Sequence, residues 1–231
     1  MTLDTQLTIV IPCKNEGYGV QTCLRHLDSS WRHPELAGVR VIVADSSDDN
    51  TTPAIIEETA RQCAHIRIEL VTGGLPAVAR NAGARRVTTP FVLFLDADIM
   101  VEHPICVDDR YDLTTHRYCS TDGYRWVYRV FDIVQWLSRW TTPFCLGGFM
   151  LFRTSTFWSL GGFNEQDKFA EDYHLSSRVP RHRFHVYRSY VYTSSRRFRA
   201  KGMRYMIGMM FLSWWHRNDP KFFTHDHGYW S

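Results

Sequence analysis

The six cysteines, Cys13, Cys23, Cys63, Cys106, Cys119 and Cys145, include no CxxC pair and follow no regular spacing. This excludes a zinc ribbon and a disulfide framework and suits a reducing cytosol. A run of about 20 apolar residues, the length a spanning helix needs, is also missing. The longest late stretch, Met203 to Trp215, is broken by Arg204. No basic segment followed by an apolar stretch opens the chain, because Met1 to Leu7 is polar and leads straight into a strand-like run. A cytoplasmic location is expected, free or at the cytoplasmic face of a membrane. Internal repeats, low-complexity tracts and linkers are lacking, so the 231 residues are expected to close around one core. Nor is there a large excess of charge of one sign. Against 24 acidic residues stand 27 basic ones, a net +3, which speaks against nucleic acid as a partner.

What is present is an ordinary folding composition, 44% hydrophobic and 22% charged, with an aromatic share of 14% that is concentrated in the second half. Acidic residues are frequent between Asp45 and Asp112, and arginines gather from Arg178 to Arg204. That polarity suits an anionic ligand held between two unlike halves.

Hydrophobic spacing gives the architecture. Leu7 to Pro12, Val39 to Ala44, Ile66 to Val71 and Phe91 to Leu95 read as strands, and Tyr18 to Trp31, Pro53 to Cys63 and Pro76 to Arg86 as the helices between them. Such alternation implies an α/β fold, a parallel sheet with helices on both faces. Past Pro104 the rhythm changes. Tyr124 to Trp140 reads as an amphipathic helix with Val127, Val130, Phe131, Val134 and Leu137 on one face. Phe144 to Phe152 reads as a glycine-containing strand, Thr154 to Leu160 and Tyr173 to Val179 as short helices, and Val186 to Tyr192 as a strand.

In open α/β sheets the ligand crevice lies at the carboxyl ends of the strands. The polar residues there are Asn15 and Glu16, then Asp45 to Asn50, then Asp96-Ala-Asp98. A period of two places Asp96 and Asp98 on one side of an extended backbone, where their oxygens suit a hard divalent ion, Mg²⁺ or Mn²⁺. Asp45 is placed to accept a hydrogen bond from a base or ribose, whereas Asp49, Asn50 and Thr51 suit a helix cap. Arg80 either pairs with a diphosphate or holds the aspartate cluster.

The motifs Ile9 to Glu16, Val43 to Thr51, Ala79-Arg80-Asn81-Ala-Gly83, Leu93 to Asp98, Gly161 to Glu165 and Glu171-Asp172 resemble, in order and approximate spacing, the series of family 2 of the glycosyltransferases. The resemblance covers about residues 7 to 180. It implies the GT-A fold, a Rossmann-like, mostly parallel sheet flanked by helices, and inverting, metal-dependent transfer from a nucleotide diphosphate sugar to an acceptor hydroxyl. By it, Pro12, Asn15, Glu16, Asp45, Arg80, Asn81 and Asp96 bind the nucleotide sugar. Asp98, with Asp96, holds the metal, and Asp172 is the catalytic base. The single domain, 1–231, then divides into a nucleotide-binding half of about 1–103, an acceptor-side half of 104–202 and an aromatic helix and tail of 203–231. The family commonly has two adjacent acids where this chain has Ala44-Asp45.

The tail has two readings at each feature. His227, beside His225, either supplies a further metal ligand or is an ordinary surface or core residue. Residues 196–217, which include Arg196, Arg197 and Arg199 and the aromatic run, either meet a membrane surface or close the core. The acceptor, whether lipid-linked, saccharide or small molecule, is not legible. A sugar-1-phosphate nucleotidyltransferase should open with a glycine-rich loop, which Pro12 to Glu16 lacks. A catalytically silent nucleotide-sugar-binding module is opposed by the presence of Asp98 and Asp172.

Overall fold

The apolar runs of the first hundred residues become parallel strands. The computed structural model describes residues 2–138, 140–217 and 219–228, with the side chains of Arg197 and Pro220 outside the description. β1 (Leu7–Cys13), β2 (Arg40–Asp45), β3 (Arg67–Thr72) and β4 (Phe91–Leu95) alternate with α1 (Gly17–Leu27), α2 (Thr51–Gln62) and α3 (Pro76–Ala84). β5 (Met100–Val101), β6 (Leu113–Ser120), α4 (Arg125–Ser138), β7 (Phe149–Arg153), α5 (Thr154–Ser159), α6 (Glu171–Ser176) and β8 (Phe184–Thr193) follow. α7 (Arg196–Lys201), α8 (Met203–Trp215) and the short α9 (Pro220–Phe223) complete the described chain. The strands form one sheet in the order β3-β2-β1-β4-β7-β6-β8-β5. β1 to β4 run parallel, β7 runs antiparallel between β4 and β6, and β8 runs parallel to β6.

Alternation along each strand builds two cores, one per face. Ile9 and Ile11 of β1 join Val20 and Leu24 of α1 and Ile56 of α2 on one side. Val10 joins Ala77 and Ala84 of α3 and the phenylalanine cluster on the other. Helix α3 packs so closely that a Cβ on Gly83 would lie 2.4 Å from Val10 Cγ1. In that second core Phe94 meets Phe157 and Phe163, each with ring centroids 5.0 Å away. Burial of such a side chain contributes about 1.5–3 kcal/mol.

Three expectations are corrected. The first helix stops at Leu27, not Trp31, because Asp28 Oδ1 accepts from the backbone N–H groups of His65, at 2.7 Å, and Ile66, at 3.0 Å. Trp31 is left exposed, with the Arg32 guanidinium 4.3 Å above its ring. In α4, Val127 and Phe131 are buried as expected, but Val130, Val134 and Leu137 are not. The glycines Gly147 and Gly148 precede β7 rather than lying within it. All six cysteines are unpaired. Among the described residues, no helix is long and apolar enough to cross a membrane.

Candidate active site

The first wall of the site is the row of carboxyl ends. Register sets Cys13 of β1 opposite Asp45 of β2, and Asp45 opposite Thr72 of β3, so the loops that follow leave the sheet side by side. Asp45 is fixed by its own turn, its Oδ1 accepting from Ser47 N at 3.2 Å and Ser47 Oγ at 2.6 Å. Across from it, Gly73 is so close that a Cβ would lie 2.9 Å from the Ala44 carbonyl oxygen. Gly74 N donates to Ser46 Oγ at 2.6 Å. This glycine pair lines the cleft, and its signal in the sequence was a Gly-Gly between a strand and a helix.

The second wall comes from β7. Because β7 runs against β4, with Phe149 opposite Leu95, its leading residues Gly147 and Gly148 reach the edge where Asp96 emerges. Asp96 N donates to the Gly148 carbonyl at 3.0 Å. Gly147 N donates to Asp172 Oδ2 at 2.6 Å, which joins the first turn of α6 to this edge. A Cβ on Gly147 would press on Arg80 Nη2 at 2.8 Å and Asp172 Oδ2 at 3.2 Å.

At the centre sits Arg80, buried, with one Nη on Asp96 Oδ1 at 2.7 Å and the other on Glu171 Oε1. Both Nη groups are committed to carboxylates, so the guanidinium holds the acidic cluster together. Glu171, noticed in the sequence only as a neighbour of Asp172, is a full member of that cluster. The Asp172 carboxyl is pushed up to about 6, first by burial and then by the Glu171 charge, while Arg80 and the N–H groups of Tyr173 and Gly147 draw it down. A carboxylate in that range is a usable base near neutral pH. Ala170, just before α6, has φ 51°, a left-handed conformation that costs a non-glycine residue about 1–3 kcal/mol.

Pro12, Glu16, Asp45, Arg80, Asp96, Asp98 and Asp172 all line one cleft of about 1390 Å³. Asp98 faces Thr193 at the end of β8, with Oδ2 to Oγ1 at 3.5 Å, and Glu16 pairs with Arg196 at the start of α7. Asn15 and Asn81 do not join this lining. Asn15 braces the neighbouring loop, its Oδ1 accepting from Asp48 N at 3.1 Å and its N donating to Ser47 Oγ at 2.7 Å. Asn81 is buried and clamps the Gly161-Gly162-Phe163 turn, donating to the Phe163 carbonyl at 2.8 Å and Glu165 Oε1 at 3.0 Å and accepting from Phe163 N at 3.1 Å. Consecutive helical residues point about 100° apart, so Arg80 and Asn81 serve different faces of α3. His227 packs against Phe169 and Phe222, and its Nε2 lies 2.8 Å from the Phe222 carbonyl. Among the described residues, no three His, Cys, Asp or Glu side chains gather as a metal group. Residues 218 and 229–231 of the expected tail lie outside the described residues.

Residues 8–107 match the family described as glycosyl transferase family 2. That match covers less than half of the 231 residues. A curated relative, the Escherichia coli protein called uncharacterized glycosyltransferase YibD, is 31% identical over 99 residues, which is 42% of this chain and 27% of that protein. The pre-mycofactocin glycosyltransferase of Mycobacterium tuberculosis is 40% identical over 97 residues, 40% of this chain and 18% of the relative. The matched segment thus spans about a quarter or less of those curated relatives. In architecture the chain is similar to the mannosyltransferase PcManGT of Pyrobaculum calidifontis, solved with GDP-Man and Mn²⁺. The TM-score is 0.64 at 18% identity over 85% of this chain and 61% of that one, a likeness that shows the GT-A fold.

Proposed function

We propose that the protein is a glycosyltransferase that moves a sugar from a nucleoside diphosphate to an acceptor hydroxyl by a single inverting displacement. The observation that carries this reading is the placement of Asp172. Its raised carboxyl lines the same cleft as Asp45, Asp96 and Asp98 and is joined through Gly147 to the edge that holds Asp96. As the acceptor oxygen bonds to the anomeric carbon, Asp172 takes its proton, and the bond to the diphosphate oxygen breaks with its electron pair leaving on the diphosphate. Attack from the side opposite the leaving group inverts the centre. Asp45 and Pro12 meet the nucleoside in this reading, and Arg80 keeps Asp96 oriented.

The donor atoms present fit a divalent metal. They are hard carboxylate oxygens, and Mg²⁺ is ordinarily held by one or two carboxylates together with substrate phosphates. Asp98 meets that demand, and Asp96 is partly neutralised by Arg80. A bound Mg²⁺ or Mn²⁺ supplies positive charge to the departing diphosphate. His227 is proposed as a further ligand. A histidine that binds metal through one nitrogen characteristically donates its other N–H to a carbonyl or carboxylate, the relation its Nε2 has with Phe222.

The test is a panel of nucleotide sugars with Mn²⁺ and candidate acceptors, scored by release of nucleoside diphosphate and by the anomeric configuration of the product. Asp172→Asn is expected to lower transfer by about 10²–10⁴-fold with nucleotide binding retained. Equal activity in wild type and variant would remove Asp172 as the base. Nucleotide binding without turnover in wild type would make the protein a binding module.

A further inference from the structure

The cleft is larger than its donor chemistry requires. Its volume of about 1390 Å³ exceeds the roughly 300–1000 Å³ common for small-molecule sites, and a continuous part of its lining is apolar. From Asp172 and Gly147 the wall continues through Phe144, Leu146 and Phe169 and then runs between α4 and α8. Helix α4 carries two apolar faces. Val127, Tyr128 and Phe131 pack against the sheet, whereas Trp126, Val130, Val134 and Leu137 recur at spacings of three and four and remain 44–59% exposed. Across the groove α8 presents Ile207, Phe211 and Trp214 at the same spacings, 48–58% exposed.

One exposed apolar stripe is a surface liability. Two stripes that line a common groove, and a groove that runs into a carboxylate cluster, match a ligand with one polar and one hydrocarbon end. A sugar or a free nucleotide does not match the apolar arm, because its hydroxyl groups would lose water there without gaining partners.

We infer that the acceptor is an amphiphile whose hydroxyl or phosphate oxygen lies beside Asp172 while its hydrocarbon chain lies between α4 and α8. The inference rests on the proposed transferase reading, since it takes Asp172 as the end where the acceptor oxygen attacks. In the reaction that oxygen bonds to the anomeric carbon, any proton it carries passes to Asp172, and the diphosphate leaves with the bonding pair. The apolar arm contributes binding and positioning, and specificity follows chain length.

The test uses n-alkyl phosphates of about four to twelve carbons, below their micelle-forming concentrations. Binding is read by the fluorescence of Trp126 and Trp214, and binding of nucleoside diphosphates with Mn²⁺ is measured on the same samples by calorimetry. Affinity is expected to rise about three- to fourfold per added methylene until the groove is full. Val134→Asn and Phe211→Asn, on the exposed rim, should weaken the longest chain about tenfold and leave nucleotide affinity within about twofold. Affinity that does not depend on chain length overturns the inference, even where nucleotide binds well. Failure of the wild type to bind any nucleoside diphosphate defeats the transferase reading instead, and the chain-length series still reports on the groove. Binding to anionic vesicles that both variants abolish, with a flat response to monomeric alkyl phosphates, assigns the surface to a bilayer and also overturns the inference.

Discussion

Replacing Arg80 with methionine removes the cation that Asp96 and Glu171 share while keeping most of the length of the apolar stem. Removing one partner of a buried pair costs about 3–5 kcal/mol, because the remaining charge is left uncompensated. Here the arginine side chain is 5% exposed, Glu171 11% and Asp96 31%, so solvent relieves part of the loss and a cost of about 3 kcal/mol at pH 8 is expected. The cost has a pH signature. The Asp172 carboxyl stands at about 6 with Arg80 holding it down, and without that charge it rises further. A carboxyl whose folded value lies above its unfolded value of about 3.9 binds its proton more tightly in the folded state. Its penalty is therefore full above the folded value and fades as pH falls towards 4. Urea unfolding of wild type and Arg80→Met at pH 5 and pH 8 should show the larger difference at pH 8, and Arg80→Lys should recover part of it. A loss below about 1 kcal/mol, or one equal at both pH values, would refute the view that this guanidinium holds the acids by charge.

Other outcomes follow from the same geometry. Transfer by the wild type should fall on the acid side with an apparent value near 6 as the Asp172 carboxylate takes a proton, and a flat rate from pH 5 to 8 would exclude it as the base. Gly147→Ala should lower transfer at least about tenfold and cost about 1–3 kcal/mol in thermal unfolding, because its Cβ would lie 2.8 Å from Arg80 Nη2. Chelation should abolish turnover and Mn²⁺ restore it. Asp98→Ala should weaken Mn²⁺ binding in calorimetry more than Asp96→Ala does, and His227→Ala should weaken it about 10-fold; Mn²⁺ affinity unchanged by all three would remove them as ligands.

The parallel half was legible because β1, β2 and β4 are largely apolar runs and β3 alternates, and the register of β1, β2 and β4 brings Asp45 and Asp96 to one edge. β6 was not, since Leu113-Thr-Thr-His-Arg-Tyr-Cys-Ser lacks a hydrophobic pattern. It lies between β7 and β8, and two of its buried polar groups find partners there, Thr115 Oγ1 donating to the Phe149 carbonyl at 2.7 Å and His116 Nδ1 lying 2.8 Å from Ser189 Oγ. Tertiary pairing outweighed local preference. In the site, Asp45, Asp96 and Asp98 could be read from their places after strands, whereas Asp172 came from the family resemblance. The division of labour between Arg80 and Asn81, and the bracing by Asn15, could not, because both depend on partners 16 to 91 residues away. The outer stripe of α4 was visible in the sequence but was read as one face with Val127 and Phe131, since hydrophobic periodicity says that a face is apolar and not what covers it.

The reversal of a single strand explains why Asp172, the proposed base, and the acids that follow the parallel strands share one cleft. Had β7 run parallel to β4, its carboxyl end, Arg153, would stand at the cleft edge, and Gly147 would lie at the far side of the sheet. Running antiparallel, it delivers Gly147 and Gly148 to Asp96, and the small size of Gly147 lets Arg80 and the Asp172 carboxylate approach it. The helix that carries Asp172 is only six residues long, too short to be stable by itself. What fixes Asp172 is thus less its own helix than the Gly147 N–H and the Arg80–Glu171 pair. The geometry of this face therefore depends on strand direction and on a missing side chain, and a substitution that restores the side chain is expected to disturb the proposed base before it disturbs the fold.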